Sequence, residues 1–319
     1  MKKFTQKKIW IILLAVSFLL SCSSEGEKEK LIIFHAGSLS VPFKQMKKAF
    51  EKENPGVEIF LESAGSVQSA RKITDLKKPC DIMASADYKI IDQLLIPGYA
   101  QWNIQFATNE MAIVYHGASR YAGEINADNW YKILLREDVI FGRSDPDSDP
   151  CGYRAILTTQ LAEKFYNTPG LTNHILSKNQ EYIRPKEVDL LALLESNSID
   201  YIFLYRSVAE QHGLKYVVLP DSINLKNPDL NEFYKNATVD IIGKEPGSTI
   251  TQTGKAMVYG ITILTDAPNP KSARLFLEFV LAKDKGAKIM EENGQPSILK
   301  TDEQSRKNIP DNLLKYFSD

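Results

Sequence analysis

Several things are missing from this 319-residue chain, and each absence removes a class of function. There is no G-x-S-x-G, so the nucleophile elbow of a serine hydrolase is not supported. There is no G-x-x-x-x-G-K-[ST] phosphate loop and no H-E-x-x-H. The four histidines, His35, His116, His174 and His212, are scattered, so a zinc site is not supported and they read as structural or surface residues. No internal repeat and no low-complexity segment appear, and past the N-terminus no apolar run approaches the roughly 20 residues that span a membrane. Cysteine is scarce, with Cys22, Cys80 and Cys151 only. Cys80 and Cys151 are far apart in sequence, which leaves a disulfide between them open.

The N-terminus speaks to location. Four lysines, Lys2, Lys3, Lys7 and Lys8, precede "IWIILLAVSFLL", an uncharged run of 12 residues. That is the length of a signal-peptide core and short for a membrane span. "LLSC" follows and resembles the bacterial lipobox, in which the cysteine is acylated and becomes the mature N-terminus. Residues 1–21 thus read as a lipoprotein signal peptide, Cys22 as the lipidated residue, and 22–30 as a polar tether. The expected place is outside the cytoplasm, in the periplasm or at the cell surface, held to the membrane by lipid alone. Removing residues 1–21 takes away four lysines and no acid, so the formal net charge moves from -1 to about -5. A mildly acidic body argues against a nucleic-acid partner.

Short apolar runs alternate with helical patterns, which predicts an α/β protein. "LIIFHAG" reads as a strand, and 40–53 as a helix with Phe43, Met46 and Phe50 on one face and Ser40 as N-cap. "VEIFLES", "CDIMASAD", "EMAIVYH", "VIFGRS", "IDYIFLY" and "KAMVYGITIL" read as further strands. Helices are expected from Ser66, from Pro150 with Asp149 as N-cap, over 184–197, and in the C-terminal segment.

Two turns repeat one unit: strand, short Gly/Ser turn, helix start. "FHAGSLS" carries Ser38 and "ESAGSVQS" carries Ser66. Helix starts present unpaired N–H groups and partial positive charge, and the serines add hydroxyls, so both turns can hold an oxyanion. Each serine can equally be a plain cap. In an open parallel sheet, both turns lie at the carboxyl edge, where ligands bind.

"SDPDSDPCGYR" (144–154) has the opposite chemistry, with Asp145, Asp147 and Asp149 on alternate positions. The opening matches a calcium loop, but the sixth and twelfth places hold Pro150 and Ile156 rather than glycine and glutamate, so the EF-hand reading fails. A turn in which Asp149 caps the next helix and another kind of calcium site both remain open.

The motifs "AGSLS", "SADY", "ATNEMAIVYHG", "GRSDPDSDPCGYR", "RPKEVDLLALLESNSIDYIFLYRSVAEQHG" and "GKAMVYGITIL" resemble the molybdate/tungstate-binding proteins of ABC importers, a group best known from archaea. The resemblance spans nearly all of 31–319. It implies a two-lobed periplasmic-binding-protein fold of type II, each lobe a mixed, mostly parallel sheet flanked by helices, with ligand in the cleft. One lobe is expected at 31–110 plus 263–319 and the other at 111–262. The resemblance further implies a tungstate or molybdate ligand, no resident cofactor, an ABC permease as partner, a monomer, and no catalytic activity. In that group the metal is six-coordinate, two protein carboxylates joining four oxo groups. Carried over, the carboxylates fall on Asp149 and Glu187, with Asp147 and Ser148 beside the first. Other contacts fall on Ser38, Leu39, Ser66 and Tyr205. Archaeal members are longer between the acidic loop and "RPKE", which keeps Glu195 as the other candidate for the second carboxylate. The competing readings are a binder of another oxyanion such as sulfate or phosphate, an extracellular hydrolase, and a calcium-stabilised adhesin.

Overall fold

The structure is a computed structural model describing residues 28–245 and 247–317. The signal peptide, Cys22 and most of the tether lie outside the described residues. Among the described residues no helix is long and apolar enough to cross a membrane.

The chain opens with β1 (Glu29–His35), α1 (Ser40–Glu53), β2 (Val57–Ser63), α2 (Ser66–Thr74) and β3 (Ile82–Ser85). Strands β2 and β3 both pair parallel to β1, and His35 stands opposite both Ser63 and Ala84. All three strands therefore end on one line, and the turns that follow them are neighbours. β4 (Ile104–Thr108) extends the first sheet, and the chain then crosses to a second. The second sheet contains β5 (Met111–Tyr115), β6 (Phe141–Ser144), β7 (Ile183–Arg184), β8 (Tyr201–Tyr205) and β9 (Lys215–Val218), in the order β7-β6-β8-β5-β9. Between β6 and β9 lie α3 (Pro150–Phe165), α4 (Leu191–Glu195) and α5 (Arg206–Gln211). A hairpin of β10 (Thr238–Ile242) and β11 (Thr249–Thr253) follows. The chain returns through β12 (Val258–Ile263) and ends with α6 (Pro270–Leu281), α7 (Gly286–Glu292) and β13 (Ser297–Lys300). The first sheet has the order β13-β4-β12-β3-β1-β2.

The two-sheet α/β architecture is the expected one, with three differences. The sheets are mixed without a parallel majority, because β12 runs antiparallel to β3 and β4, and β5 antiparallel to β8 and β9. Strand β12 belongs to the first sheet, so that sheet resumes at Val258 rather than at 263. The helix expected over 184–197 is divided: Arg184 is in β7, a 3-10 turn covers Glu187–Leu190, and only α4 is α-helical. Pro185 explains the break, since it disfavours helical backbone in the residue before it.

Sequence periodicity shows directly in α1, where Phe43, Met46 and Phe50 are buried. They face α6, with the Phe276 ring edge-on to Phe43 at 6.2 Å and to Phe50 at 5.2 Å. Ser40 is not the N-cap of α1. A 3-10 turn over Gly37–Leu39 runs into the helix, and Ser40 Oγ instead bonds Ser63 Oγ at 3.1 Å. Strands β5 and β8 are buried at every residue, which suits central strands covered on both faces.

Phe276→Ala should lower stability by about 3–5 kcal/mol, measured by urea unfolding, because its fully buried ring joins α6 to the Phe43 and Phe50 face of α1. A loss well below that range would show that the aromatic cluster is not a unit of the core.

Candidate functional site

The carboxyl ends of the parallel strands from both sheets meet. The first sheet brings Ala36–Ser38 after β1, Ala64–Ser66 after β2 and Ala86–Asp87 after β3. The second brings the acidic loop after β6, Pro185–Glu187 after β7, and Tyr205 at the end of β8.

Asp149 caps α3 as its sequence suggests, with Pro150 at the first helical position. One carboxylate oxygen accepts the Cys151 N–H at 3.1 Å. The other accepts the Glu187 N–H at 2.9 Å, so the cap of one segment fixes the backbone of the next. Glu187 is fully buried, and no well-formed hydrogen bond reaches either oxygen of its carboxyl, which lies beside the Asp149 carboxyl and the Ser38 backbone. Its carboxyl lies against Gly37 of the first sheet. A Cβ at Gly37 would fall 2.6 Å from Glu187 Oε2, so a side chain there would push the Glu187 carboxyl from its position. Gly65 serves the acidic loop in the same way, since a Cβ there would fall 2.2 Å from the Ser148 carbonyl oxygen.

Burial raises the pKa of both acids. At Glu187 the neighbouring Asp149 charge adds to the rise, carrying it well above the ordinary value. At Asp149 the hydrogen bonds it accepts oppose the rise. Without ligand, the pair thus favours keeping a proton.

The walls are polar and tightly bound. Ser38 Oγ accepts from Tyr259 Oη at 2.9 Å, and Ser66 Oγ accepts the Ala86 N–H at 2.9 Å. Tyr205 Oη accepts from Arg154 at 3.0 Å. Arg154, only 3% exposed, crosses from α3 to the first sheet's turns. There it donates to the Ala86 carbonyl at 2.8 Å and pairs with Asp87 at 3.0 Å. Tyr153 donates to the same carboxylate at 2.8 Å. With the Gln68 N–H on the Ser148 carbonyl at 3.1 Å, these contacts hold the lobes closed over the two acids.

Ser38, Leu39, Ser66, Asp149, Glu187 and Tyr205 are therefore buried together. The Leu39 N–H is spent on the Ala36 carbonyl within its own turn. Asp147 and Ser148 sit at the rim. Asp147 accepts the Ile242 N–H at 2.7 Å, and the Ser148 hydroxyl donates to Asp145 at 2.8 Å. Glu195 is exposed at the end of α4, so Glu187 is the acid that meets Asp149. Cys80 and Cys151 are both buried and free. Gly37, Asp87, Asn109, Arg154 and Tyr259 escaped the sequence reading. Arg154 stood inside a quoted motif, but nothing in the spacing says that an arginine is fully buried. An open cavity of about 830 Å³, lined in part by Val280, Met290, Leu299 and Tyr316, shares no residue with this cluster.

Two α/β lobes closed over a small buried polar cluster define a solute-binding protein. Residues 31–295 match the family model described as bacterial extracellular solute-binding protein. A solute-binding protein of Petrotoga mobilis is 52% identical over 270 residues, covering 84% of each chain. The molybdate/tungstate-binding protein WtpA of Pyrococcus abyssi is 46% identical, covering 88% of this chain and 90% of its own. WtpA of Thermococcus kodakarensis is 43% identical, covering 91% of each. Among solved structures, the periplasmic molybdate-binding protein of Azotobacter vinelandii superposes with a TM-score of 0.61 at 16% identity, covering 85% of this chain and 99% of that one. The sulfate-binding protein SubI of Mycobacterium tuberculosis gives 0.60 at 14%, covering 90% of each chain. At that identity the two structures speak to the fold. The chain belongs to the bacterial extracellular solute-binding protein family. It is a binding protein of the extracytoplasmic space and not an enzyme, which sets aside the hydrolase reading.

The raised Glu187 has a consequence for stability. A buried carboxyl whose pKa rises on folding stabilises the fold only while protonated. That contribution is complete below the ordinary value of 4.5 and is lost as pH rises through the folded value. Glu187→Gln removes the cost, so the ligand-free variant should melt a few °C above the parent at pH 7, and the gap should close near pH 4. Equal melting at pH 7 would show that Glu187 carries no burial cost.

Proposed function

We propose that this protein captures tungstate or molybdate outside the cytoplasm for an ABC importer, binding the metal of the oxyanion directly through Asp149 and Glu187. The observation that carries this reading is the Glu187 carboxyl, fully buried against a second buried acid, Asp149, with no well-formed hydrogen bond to either of its oxygens. A carboxylate about 4 Å from another unit negative charge costs roughly 4 kcal/mol at an effective dielectric of 20. Two acids facing a dianion would oppose binding if they met only its oxygens. A bond from each carboxylate oxygen to a hard, high-valent metal offsets that cost. The relatives named for molybdate and tungstate support this chemistry.

Among the described residues no group of three or more His, Cys, Asp or Glu could hold a metal ion. Two carboxylates are few for a bare cation, and an oxyanion brings its own four oxygens. Those oxygens fall to the turns after β1 and β2, where Ser38 and Ser66 stand at helix starts. Tyr205, steadied by Arg154, lines the same space. Sulfur in sulfate cannot add two ligands, so sulfate meets the repulsion without the bond, and the acidic pair works against it.

In this reading the two sheets belong to two lobes hinged where β4 leads to β5 and where the hairpin leads back to β12. Ligand closes them, and the closed form docks on the permease. No resident cofactor is required. A lipid on Cys22 and the tether to residue 30 would keep the receptor at the membrane, working as a monomer.

Titration of the ligand-free soluble body, from residue 27, should show tight binding of tungstate and molybdate and none of sulfate. Heat and the fluorescence of the buried Trp102 and Trp130 give the readout. Asp149→Ala and Glu187→Ala should each weaken tungstate binding at least about 100-fold while the protein stays folded. Sulfate binding comparable to tungstate, or alanine variants that bind like the parent, would sink the inner-sphere reading.

A further inference from the structure

The Ser38 hydroxyl is one end of a buried chain that leads from the site into the connection between the sheets. Tyr259 Oη donates to Ser38 Oγ at 2.9 Å. Asn109 Nδ2 donates to Tyr259 Oη at 2.9 Å and to Ser207 Oγ at 2.7 Å. None of the four side chains is more than 4% exposed. Asn109 stands in the short link from β4 to β5, Tyr259 on β12, and Ser207 on α5. The chain thus joins the anion turn after β1 to the place where the backbone crosses between sheets.

Its direction is set by elementary chemistry. An amide nitrogen donates and cannot accept, whereas a hydroxyl has a single proton to give. The Asn109 amide cannot be turned over, because its oxygen accepts the Glu110 N–H at 2.9 Å. The Tyr259 oxygen therefore receives a proton from Asn109 and gives its own to Ser38. Ser38, already accepting, has its proton left to point elsewhere. Burial pushes the Tyr259 phenol up to about 12, so that proton is not lost near neutrality. Gln295 Nε2 donates to the Ser38 carbonyl at 3.0 Å and holds the backbone beneath.

We infer that Asn109 is a specificity-determining positioning residue that acts through Tyr259 to lock the Ser38 hydroxyl as a donor into the site. The wall at Ser38 then favours an oxyanion whose oxygens only accept over one that still carries a proton, since Tyr259 already occupies one of the two Ser38 lone pairs and the Ser38 proton points into the site. This rests on the oxyanion reading and adds a second filter to it. The acidic pair selects for the central atom, and the hydroxyl chain selects for the protonation state of the oxygens. Ser207, on α5 after a strand of the second sheet, takes the other Asn109 proton, so the chain is anchored on both sides of the link between the sheets.

The test compares the full-length protein with Asn109→Asp, Tyr259→Phe and the double variant. Molybdate and hydrogen phosphate are titrated in competition at pH 7.5. In Asn109→Asp a carboxylate oxygen replaces the donor and accepts the Tyr259 proton. Ser38 must then donate to Tyr259 and face the site with lone pairs. The preference for molybdate over hydrogen phosphate should fall about tenfold or more, with the loss mainly on molybdate. Tyr259→Phe removes one oxygen, keeps the ring packed and frees the Ser38 hydroxyl, so the preference should fall about threefold. This variant tests the chain even if Asn109→Asp does not fold. In the Tyr259→Phe background, Asn109→Asp should shift the preference no further. An equal shift in both backgrounds would assign the effect to the added charge and overturn the inference, as would unchanged preference in both single variants. A parent that binds no oxyanion overturns the function itself, whereas a parent that binds molybdate beside unaltered variants overturns only the role of Asn109.

Discussion

The hydrogen bond from the Glu187 N–H to Asp149 is the contact on which the site depends. It does three things at once. It satisfies a backbone donor at the start of a 3-10 turn, it fixes the second carboxyl relative to the first, and it ties the segment after β7 to the cap of α3. An aspartate that only capped its helix would leave Glu187 free to turn toward water. Here the cap uses both oxygens, and the neighbouring acid is held inside, where its charge is costly. Such an arrangement lowers the stability of the protein, because burial and the Asp149 charge both oppose ionising Glu187.

Glycine has a part in this that differs from its usual one in turns. Gly37 and Gly65 have ordinary negative φ values or lie in regular turn geometry, and neither stands among the glycines with positive φ. They are needed because the opposing lobe comes too close for a Cβ. The Gly/Ser turns therefore join two features in adjacent residues: a bare backbone where the two sides of the site touch, and a buried hydroxyl facing the acidic pair.

Much of this was legible in the sequence, and the reasons are specific. Strands β5 and β8 and the LIIF centre of β1 are continuous apolar runs, and α1 shows its buried face at regular helical spacing, so each declares itself locally. Asp149 and Pro150 spell out a helix start. The edge strands β9 and β13 and the hairpin strands β10 and β11 are short or partly exposed, so they depend on the strand each pairs with rather than on their own residues. Proline 185 divided an apparent helix whose apolar spacing looked continuous. The site's outer residues were least legible. Asn109, Tyr259 and Arg154 owe their roles to burial and to partners far away in the chain, 150 residues away for Asn109 and Tyr259, and no local pattern records that. Asp147 and Ser148 are placed beside Asp149 by the resemblance, yet their side chains turn to the rim while that of Asp149 is buried.

The Arg154–Asp87 pair behaves differently from a buried ion pair in a permanent core. Its two charges come from opposite sides of the site, Arg154 from α3 and Asp87 from the turn after β3, and in the proposed opening of the lobes both would return to water. The hydration lost on closing and the attraction gained are of opposite sign, and buried pairs of this kind often come out near balance. Such a pair fixes the angle and register at which the halves meet while adding little to the force that holds them together. It works as a locating pin rather than a bolt. A receptor that must grip its cargo and also give it up can tolerate the first much better than the second.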